Sequence, residues 1–269
     1  MNMDTVTNDQ DKIQGTKKGA IGTLTFNYPE KLNAISPEMS QAAGAVIDDF
    51  ANDPAIRVVI LRGAGTKAFV SGGDISKYEG NRNTPEQVAA YTKMTAGFRA
   101  SLRGIGKPTI AQIRGWCLGG GLAIALNCDL RICTEDAQFG VPAAKLSIGY
   151  SSESLGQLID LVGPSMAKEM LYTARRLPAF EAHRIGLVNH VCQASMLESF
   201  VQSYAETMAG NAPLSIVAAK RVIDEYVKDP ADRNQKLADD AVAACFVSND
   251  YKEGRKAFME KRKPVWTGR

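Results

Sequence analysis

Two short glycine-lined turns constrain this chain more than any other feature. One is Ser71-Gly72-Gly73-Asp74, after the strand-like Ala68-Phe69-Val70. The other is Gly119-Gly120-Gly121, between an apolar run at 109–113 and a helix-like run at 122–126. A strand that ends in glycines and feeds a helix belongs to α/β architectures, and it creates an anion site. The first helical N–H groups have no internal partner, and the helix dipole adds partial positive charge there. Glycine lets a ligand reach the backbone. Each turn alone is equally well a tight packing turn, so the rest of the chain decides.

The first half alternates strand-like and helix-like segments. Residues 20–27 carry a period-two pattern with Leu24 and Phe26 on one face, and 57–61 is a short β-branched run. Ser36 reads as an N-cap with Pro37 at the first helical position, followed by Met39, Ala43, Val46 and Phe50 at helical spacing. Thr84, Pro85 and Gln87 form a capping-box pattern, and the helix behind it carries Val88, Tyr91, Met94, Phe98 and Leu102 on one face. Residues 109–113 and 130–133 read as buried strands. From about Ser152 onward the strands fade, and helical patterns occur at 164–173, 179–185, 195–209, 213–227 and 235–261. The expected organisation is a disordered tail over 1–11, an α/β core over 12–200 and a helical region over 201–269.

Composition narrows the function classes. The chain has 269 residues, enough for one sizeable core. Its net charge of +3 comes from 32 basic and 29 acidic residues, a balance that gives no footprint for nucleic acid. Basic residues do gather at the C-terminus, from Lys252 to Arg269, either as a solvated helix face or as a site for an anionic ligand. Five cysteines without a CxxC pair read as reduced buried thiols, and two histidines without ligand spacing make a metal site unexpected. No run approaches the ~18 apolar residues of a membrane span, and the polar N-terminus lacks the apolar core of a secretory signal. The expectation is a cytoplasmic protein with no membrane and no nucleic-acid partner.

The ordered set of motifs resembles the crotonase (enoyl-CoA hydratase/isomerase) superfamily over roughly residues 12–269. Pro29-Glu30-Lys31-Leu32-Asn33-Ala34 is similar to the family's N-terminal signature. Lys67-Ala68-Phe69-Val70-Ser71-Gly72-Gly73-Asp74-Ile75 is similar to its first oxyanion loop. Gly115-Trp116-Cys117-Leu118-Gly119-Gly120-Gly121, with Cys128-Asp129 and Ala137-Gln138-Phe139-Gly140, is similar to the second loop and the strand after its helix. Glu181-Ala182, Gly186-Leu187-Val188-Asn189, Asn211-Ala212-Pro213-Leu214 and the stretch from Glu253 through Ala257-Phe258 to Lys261-Arg262 complete the set.

The resemblance implies an α/β spiral of ββα units whose C-terminal helices build homotrimers or hexamers. It implies an acyl-CoA thioester as ligand, with CoA as part of the substrate and no separate cofactor. The amides of Gly73 and Gly120 would hold the thioester oxygen and stabilise an enolate or a tetrahedral oxyanion. Lys31, Leu32 and Ala34, with Ser71, Asp74 and Ile75, would line the CoA site. Phe258 and Lys261 would approach the adenine end, the latter giving the C-terminal basic cluster a use.

The chain departs from the family's hydratases. Their two water-activating glutamates correspond to Ala123 and Ala143, and alanine exchanges no protons. Tyr150 lies where some decarboxylases of the superfamily carry a tyrosine, and Glu153 is the nearest carboxylate on the same loop. Isomerase, decarboxylase or atypical hydratase chemistry is therefore expected, with Glu153 or Tyr150 handling protons. Thioester hydrolysis and non-catalytic acyl-CoA binding are the alternatives. Against the catalytic roles stand plainer ones: Tyr150 as a pocket wall, Glu153 as a first-turn acid, Ser151 or Ser152 as an N-cap, Cys117 as buried core, Asp74 as a brace of its own loop, and Trp116 as packing.

Overall fold

The computed structural model describes residues 5–8, 12–77 and 83–269, without the side chains of 5–8, Lys77 and Glu153. The tail expected over 1–11 lies mostly outside the described residues; within it β1 (Thr5–Asn8) pairs antiparallel with β2 (Ile13–Lys18).

From the fourth strand to the ninth, consecutive strands are dealt alternately into two sheets. β3 (Ile21–Phe26), β4 (Val58–Gly63), β6 (Thr109–Ile113), β8 (Leu130–Thr134) and β11 (His190–Cys192) run parallel in a seven-stranded sheet of order β1-β2-β3-β4-β6-β8-β11. The intervening β5 (Ala68–Val70), β7 (Trp116–Leu118) and β9 (Gln138–Gly140) run parallel in a second sheet, closed by the antiparallel β10 (Leu177–Pro178). Each pair of strands leads into a helix: α2 (Pro85–Gly104) after β4 and β5, α3 (Gly120–Leu126) after β6 and β7, α4 (Ser152–Thr173) after β8 and β9. This is the ββα repeat.

The strands of the larger sheet read as unbroken apolar runs because both faces are buried. In β4, Val59 and Leu61 face the main core, while Val58 and Ile60 face a second cluster covered by Leu197, Val201 and Ala205 of α6 (Leu197–Ala209). The main core holds Phe26 edge-on to Phe69, with ring centroids 5.7 Å apart, and edge-on to Phe98 at 6.2 Å. α1 (Pro37–Asn52) begins where the sequence places it: the Ser36 hydroxyl accepts the Met39 amide at 3.2 Å, with Met39, Ala43, Val46 and Phe50 buried beneath. The Thr84–Gln87 capping box opens α2, and Tyr91, Phe98 and Leu102 are its buried residues. Val88 and Met94, expected on that face, are exposed.

The C-terminal third is helical: α5 (Ala179–Arg184), α6, α7 (Pro213–Tyr226), α8 (Gln235–Val247) and α9 (Asn249–Met259). The single helix expected over 235–261 is two. Ser248 is extended, with φ −72° and ψ 157°, and its hydroxyl caps α9 by accepting the Tyr251 amide. α4 starts earlier than its periodicity predicts and kinks at Gly163, ahead of Pro164. α7 is bolted to the core by Lys220, whose ammonium donates to the Lys107 carbonyl at 3.0 Å and to Asp129 at 2.9 Å. No helix among the described residues is long and apolar enough to cross a membrane.

Candidate active site

The two glycine turns meet. Leu32 and Asn33 adopt left-handed conformations that fold the 29–34 segment back on itself. Asn33 is buried there: its amide donates to the carbonyls of Ala64 and Ala68 and its oxygen accepts the Tyr28 amide. The chain then runs beside the 71–75 loop. The Ser71 amide donates to the Leu32 carbonyl at 3.1 Å, the Ile35 amide to Gly72, and the Asp74 amide back to Ile35, each at 2.9 Å. This short parallel bridge uses the Gly72 carbonyl and the Asp74 amide and leaves the Gly73 N–H out of the ladder.

Facing it is the start of α3. Gly119 holds φ 51° and ψ −114°, a conformation closed to residues with a side chain, and its amide donates to Gly140 in β9. Gly120 is the first helical residue, so its N–H has no intrahelical partner. A Cβ built on Gly120 would lie 3.5 Å from the Gly73 nitrogen; one on Gly121 would lie 2.0 Å from the Val70 carbonyl oxygen. Gly121 therefore lets α3 start directly against β5, and that contact sets the two amides side by side. At the other end of α3, the buried Arg131 donates to the carbonyls of Ala125, Cys128 and Leu187, placing a cation at the helix C-terminus.

A cavity of about 300 Å³ opens on this pair, and Gly73, Gly120, Ala123 and Tyr150 all line it. Ala123 is thus at the cavity wall. Ala143 is buried in the main core, where its carbonyl accepts the Ile148 amide. Tyr150 is half-buried against the same core. Ser151 caps α4, its hydroxyl accepting the Ser154 amide at 3.3 Å. Glu153 falls in the first turn of α4, and its side chain lies outside the described residues. The described lining holds no carboxylate and no imidazole; it holds hydroxyls, the amides of Asn127 and Gln157, and the guanidinium groups of Arg99 and Arg103. Gln157 donates to the Asn127 oxygen at 3.1 Å, and Asn127 donates to the Ala123 carbonyl. None of these four polar residues was singled out by sequence reasoning. The helical spacing of Thr95, Arg99 and Arg103, i, i+4 and i+8, is the one signal that could have found the arginines, and it reads equally as a solvated face.

The other expected site residues separate into two groups. Lys31, Leu32, Ala34, Ser71, Asp74 and Ile75 are brought together beside the cavity by the bridge between Ile35 and Gly73. Asp74 braces its loop: it is buried and accepts the Ser76 amide at 3.1 Å and hydroxyl at 2.6 Å, with the Lys31 ammonium 3.7 Å away. Ile75 is 57% exposed, an apolar side chain held at the surface next to the site. Phe258 and Lys261 are exposed on the far C-terminal region and do not line the cavity. Cys117 lies in the core, where burial pushes its thiol well above the ordinary range; burial pushes Cys128 and Cys133 up to about 12. None of the three has a thiolate to offer at neutral pH. The Arg176 guanidinium sits over the Trp116 ring at 4.6 Å, a packing role for that indole.

Residues 16–269 match the model of the enoyl-CoA hydratase/isomerase family. The chain is 37% identical over 247 residues to a short-chain-enoyl-CoA hydratase of Clostridium acetobutylicum, covering 92% of this chain and 94% of the relative. It is 35% identical over 261 residues to a carnitinyl-CoA dehydratase of Salmonella enteritidis, covering 94% and 97%. The crystal structure of an enoyl-CoA hydratase/carnithine racemase from Magnetospirillum magneticum superposes with a TM-score of 0.93 at 35% identity, over 98% of this chain and 97% of that one. The chain belongs to the enoyl-CoA hydratase/isomerase family, the crotonase superfamily, and is an enzyme of that family with the crotonase fold.

Proposed function

We propose that this enzyme binds an acyl-CoA thioester with its carbonyl oxygen between the amides of Gly73 and Gly120, and that it works by stabilising the thioester enolate. The observation that carries this reading is the pair of backbone N–H groups, set side by side at the wall of one cavity and unused by the surrounding ladder and helix. Negative charge that grows on the oxygen meets two donors already in place, with no reorganisation at the moment of reaction. The relatives' names, all of CoA-thioester enzymes, support the ligand class.

The reaction is enolate chemistry that does without the hydratase pair of glutamates: isomerisation, decarboxylation or an atypical hydration. Ala123 at the wall and Ala143 in the core supply no acid or base. Tyr150 and Glu153 are the proton-handling groups of this proposal. The CoA moiety runs over Lys31, Leu32, Ala34, Ser71, Asp74 and Ile75. Phe258 and Lys261 reach an adenine from a neighbouring subunit of a trimer or hexamer, a reading supported by their exposure away from the cavity of their own chain.

The test is Gly120→Pro. Proline is tolerated at the first helical position and removes the N–H, while its ring adds a Cβ 3.5 Å from the Gly73 nitrogen and restricts Gly119. Turnover of the thioester substrate falls by about 10²–10³ with CoA binding and secondary structure retained. Unchanged turnover sinks the assignment. In the same assay, loss of turnover in Glu153→Gln identifies that acid, and loss in Tyr150→Phe favours the decarboxylase-like route.

A further inference from the structure

Much of the acyl cavity wall is apolar, with Ile35, Phe98, Ala123, Ile124 and Ile148 among its residues. Pockets of that kind take their selectivity from a few placed polar groups. Ser40 is one such group. It lies on α1, four residues after the cap Ser36, lines the cavity and is 2% exposed. A serine inside a helix often turns its hydroxyl back to the carbonyl four residues earlier. Here the Ser36 carbonyl takes the Ser40 amide, at 2.9 Å, and no described group bonds the Ser40 hydroxyl. That hydroxyl is not sealed in the packing as the one of Thr134 is, so it opens on the cavity. Other hydroxyls of the lining differ: Thr95 donates to the Tyr91 carbonyl at 3.1 Å, and Ser151 and Ser154 share a bond of 3.0 Å. Buried Asn127 is also tied, accepting from Gln157 and donating to the Ala123 carbonyl at 2.6 Å.

We infer that Ser40 is a specificity-determining residue that selects acyl groups carrying a hydroxyl on the tail, beyond the carbons next to the thioester. A cavity of about 300 Å³ equals roughly ten waters at ~30 Å³ each, more than a thioester carbonyl and the carbons of its enolate fill, so a tail occupies the rest. A plain alkyl tail that closes the cavity takes water from Ser40 and leaves a buried hydroxyl without a partner. A tail hydroxyl both donates and accepts, and meets Ser40 in either sense. Sites built this way reject the analogue that lacks the matching group. A small residue also suits the packing of α1 on α2, where one turn further on a Cβ built at Gly44 would lie 3.7 Å from the Phe98 Cα. Alanine would serve that packing equally, so size does not account for the hydroxyl. The inference rests on the proposal that the ligand is an acyl-CoA, and it names the class of acyl group taken. It holds for whichever enolate reaction is run, because a contact to the tail acts on the ground state and the transition state alike.

The experiment measures binding of saturated CoA analogues in which methylene replaces the thioester sulfur, so that neither hydrolysis nor turnover enters. Butanoyl, pentanoyl and hexanoyl analogues are titrated calorimetrically at pH 7, each beside its counterpart with a terminal hydroxyl. At one or more lengths the hydroxylated analogue binds the native enzyme roughly tenfold more tightly than its plain counterpart. Ser40→Ala, which keeps the small side chain and removes the hydroxyl, erases that preference and leaves binding of the plain analogues in place. Equal or weaker binding of every hydroxylated analogue by the native enzyme overturns the inference and leaves the acyl-CoA reading standing. So does a preference that survives Ser40→Ala. Failure of every analogue and of CoA itself to bind overturns the acyl-CoA reading, and this inference with it.

Discussion

At the scale of single residues, the site depends on contacts that only glycine allows. Gly121 is the clearest case, because the obstacle to a side chain is the Val70 carbonyl, which no rotamer change can move. Gly121→Ala is therefore expected to cost about 3 kcal/mol or more of stability, at the upper end of overpacking effects. Denaturant unfolding measures it, and a loss below about 1 kcal/mol would show that α3 shifts freely against β5. The glycine turns were legible in the sequence as a turn after a strand and a turn that feeds a helix, and the structure brings the two together. What they face was not legible, because Arg99, Asn127 and Gln157 each read locally as ordinary solvated residues; only the meeting of α2, α3 and α4 turns them inward. Asp129 illustrates the same limit. It binds the Thr109 amide and hydroxyl and the Lys220 ammonium, partners 20 and 91 residues away that no local pattern connects.

At the scale of elements, the strands and the capped helices were readable because the signals are local: Ser36 with Pro37, Thr84 with Gln87, and β-branched runs buried on both faces. Boundaries failed where a polar residue that suits a helix interior serves as a cap, as Ser248 does between α8 and α9. The C-terminal segment beyond α9 is held by side-chain acceptors. Glu253 accepts both Arg262 Nη1 and Nη2, at 2.6 and 2.9 Å, and the Val265 amide at 2.9 Å; Trp266 then donates to the Gly210 carbonyl. Arg262, and after it the Val265 N–H, hold the Glu253 carboxyl down to about 2. A carboxyl depressed in the folded state stabilises at pH above its unfolded value, 4.5, and that contribution fades as pH falls toward 2. Hydrogen exchange at the Val265 amide is thus expected to accelerate, relative to the core amides, as pH drops through that window, and to be already fast in Glu253→Gln at neutral pH. Equal protection in Glu253→Gln and the native protein would remove the carboxylate from this role.

At the scale of the whole molecule, the C-terminal helices carry several large apolar side chains that stay exposed on their own chain. Ile223, Tyr226 and Val227 on and just beyond α7, Phe246 and Val247 at the end of α8, and Phe258 and Met259 at the end of α9 are exposed, Val247 to 81%. Where such side chains gather they mark association surfaces, and they support the homotrimer or hexamer proposed here. Sedimentation should show an oligomer for the native chain and a smaller species for Val247→Asp with unchanged far-UV circular dichroism. A native monomer at micromolar concentration would refute the assembly, and with it the route by which Phe258 and Lys261 reach an adenine.

The proposed chemistry turns on polarisation of a thioester carbonyl by two backbone amides. Isotope-edited infrared spectroscopy reads this directly. A saturated acyl-CoA labelled with ¹³C at the thioester carbonyl is bound to the native enzyme and to Gly120→Pro. The carbonyl stretch is expected to move to lower frequency on binding the native protein and to return most of the way to its solution value in the variant. A bound carbonyl that vibrates at the same frequency in both proteins would contradict the oxyanion hole.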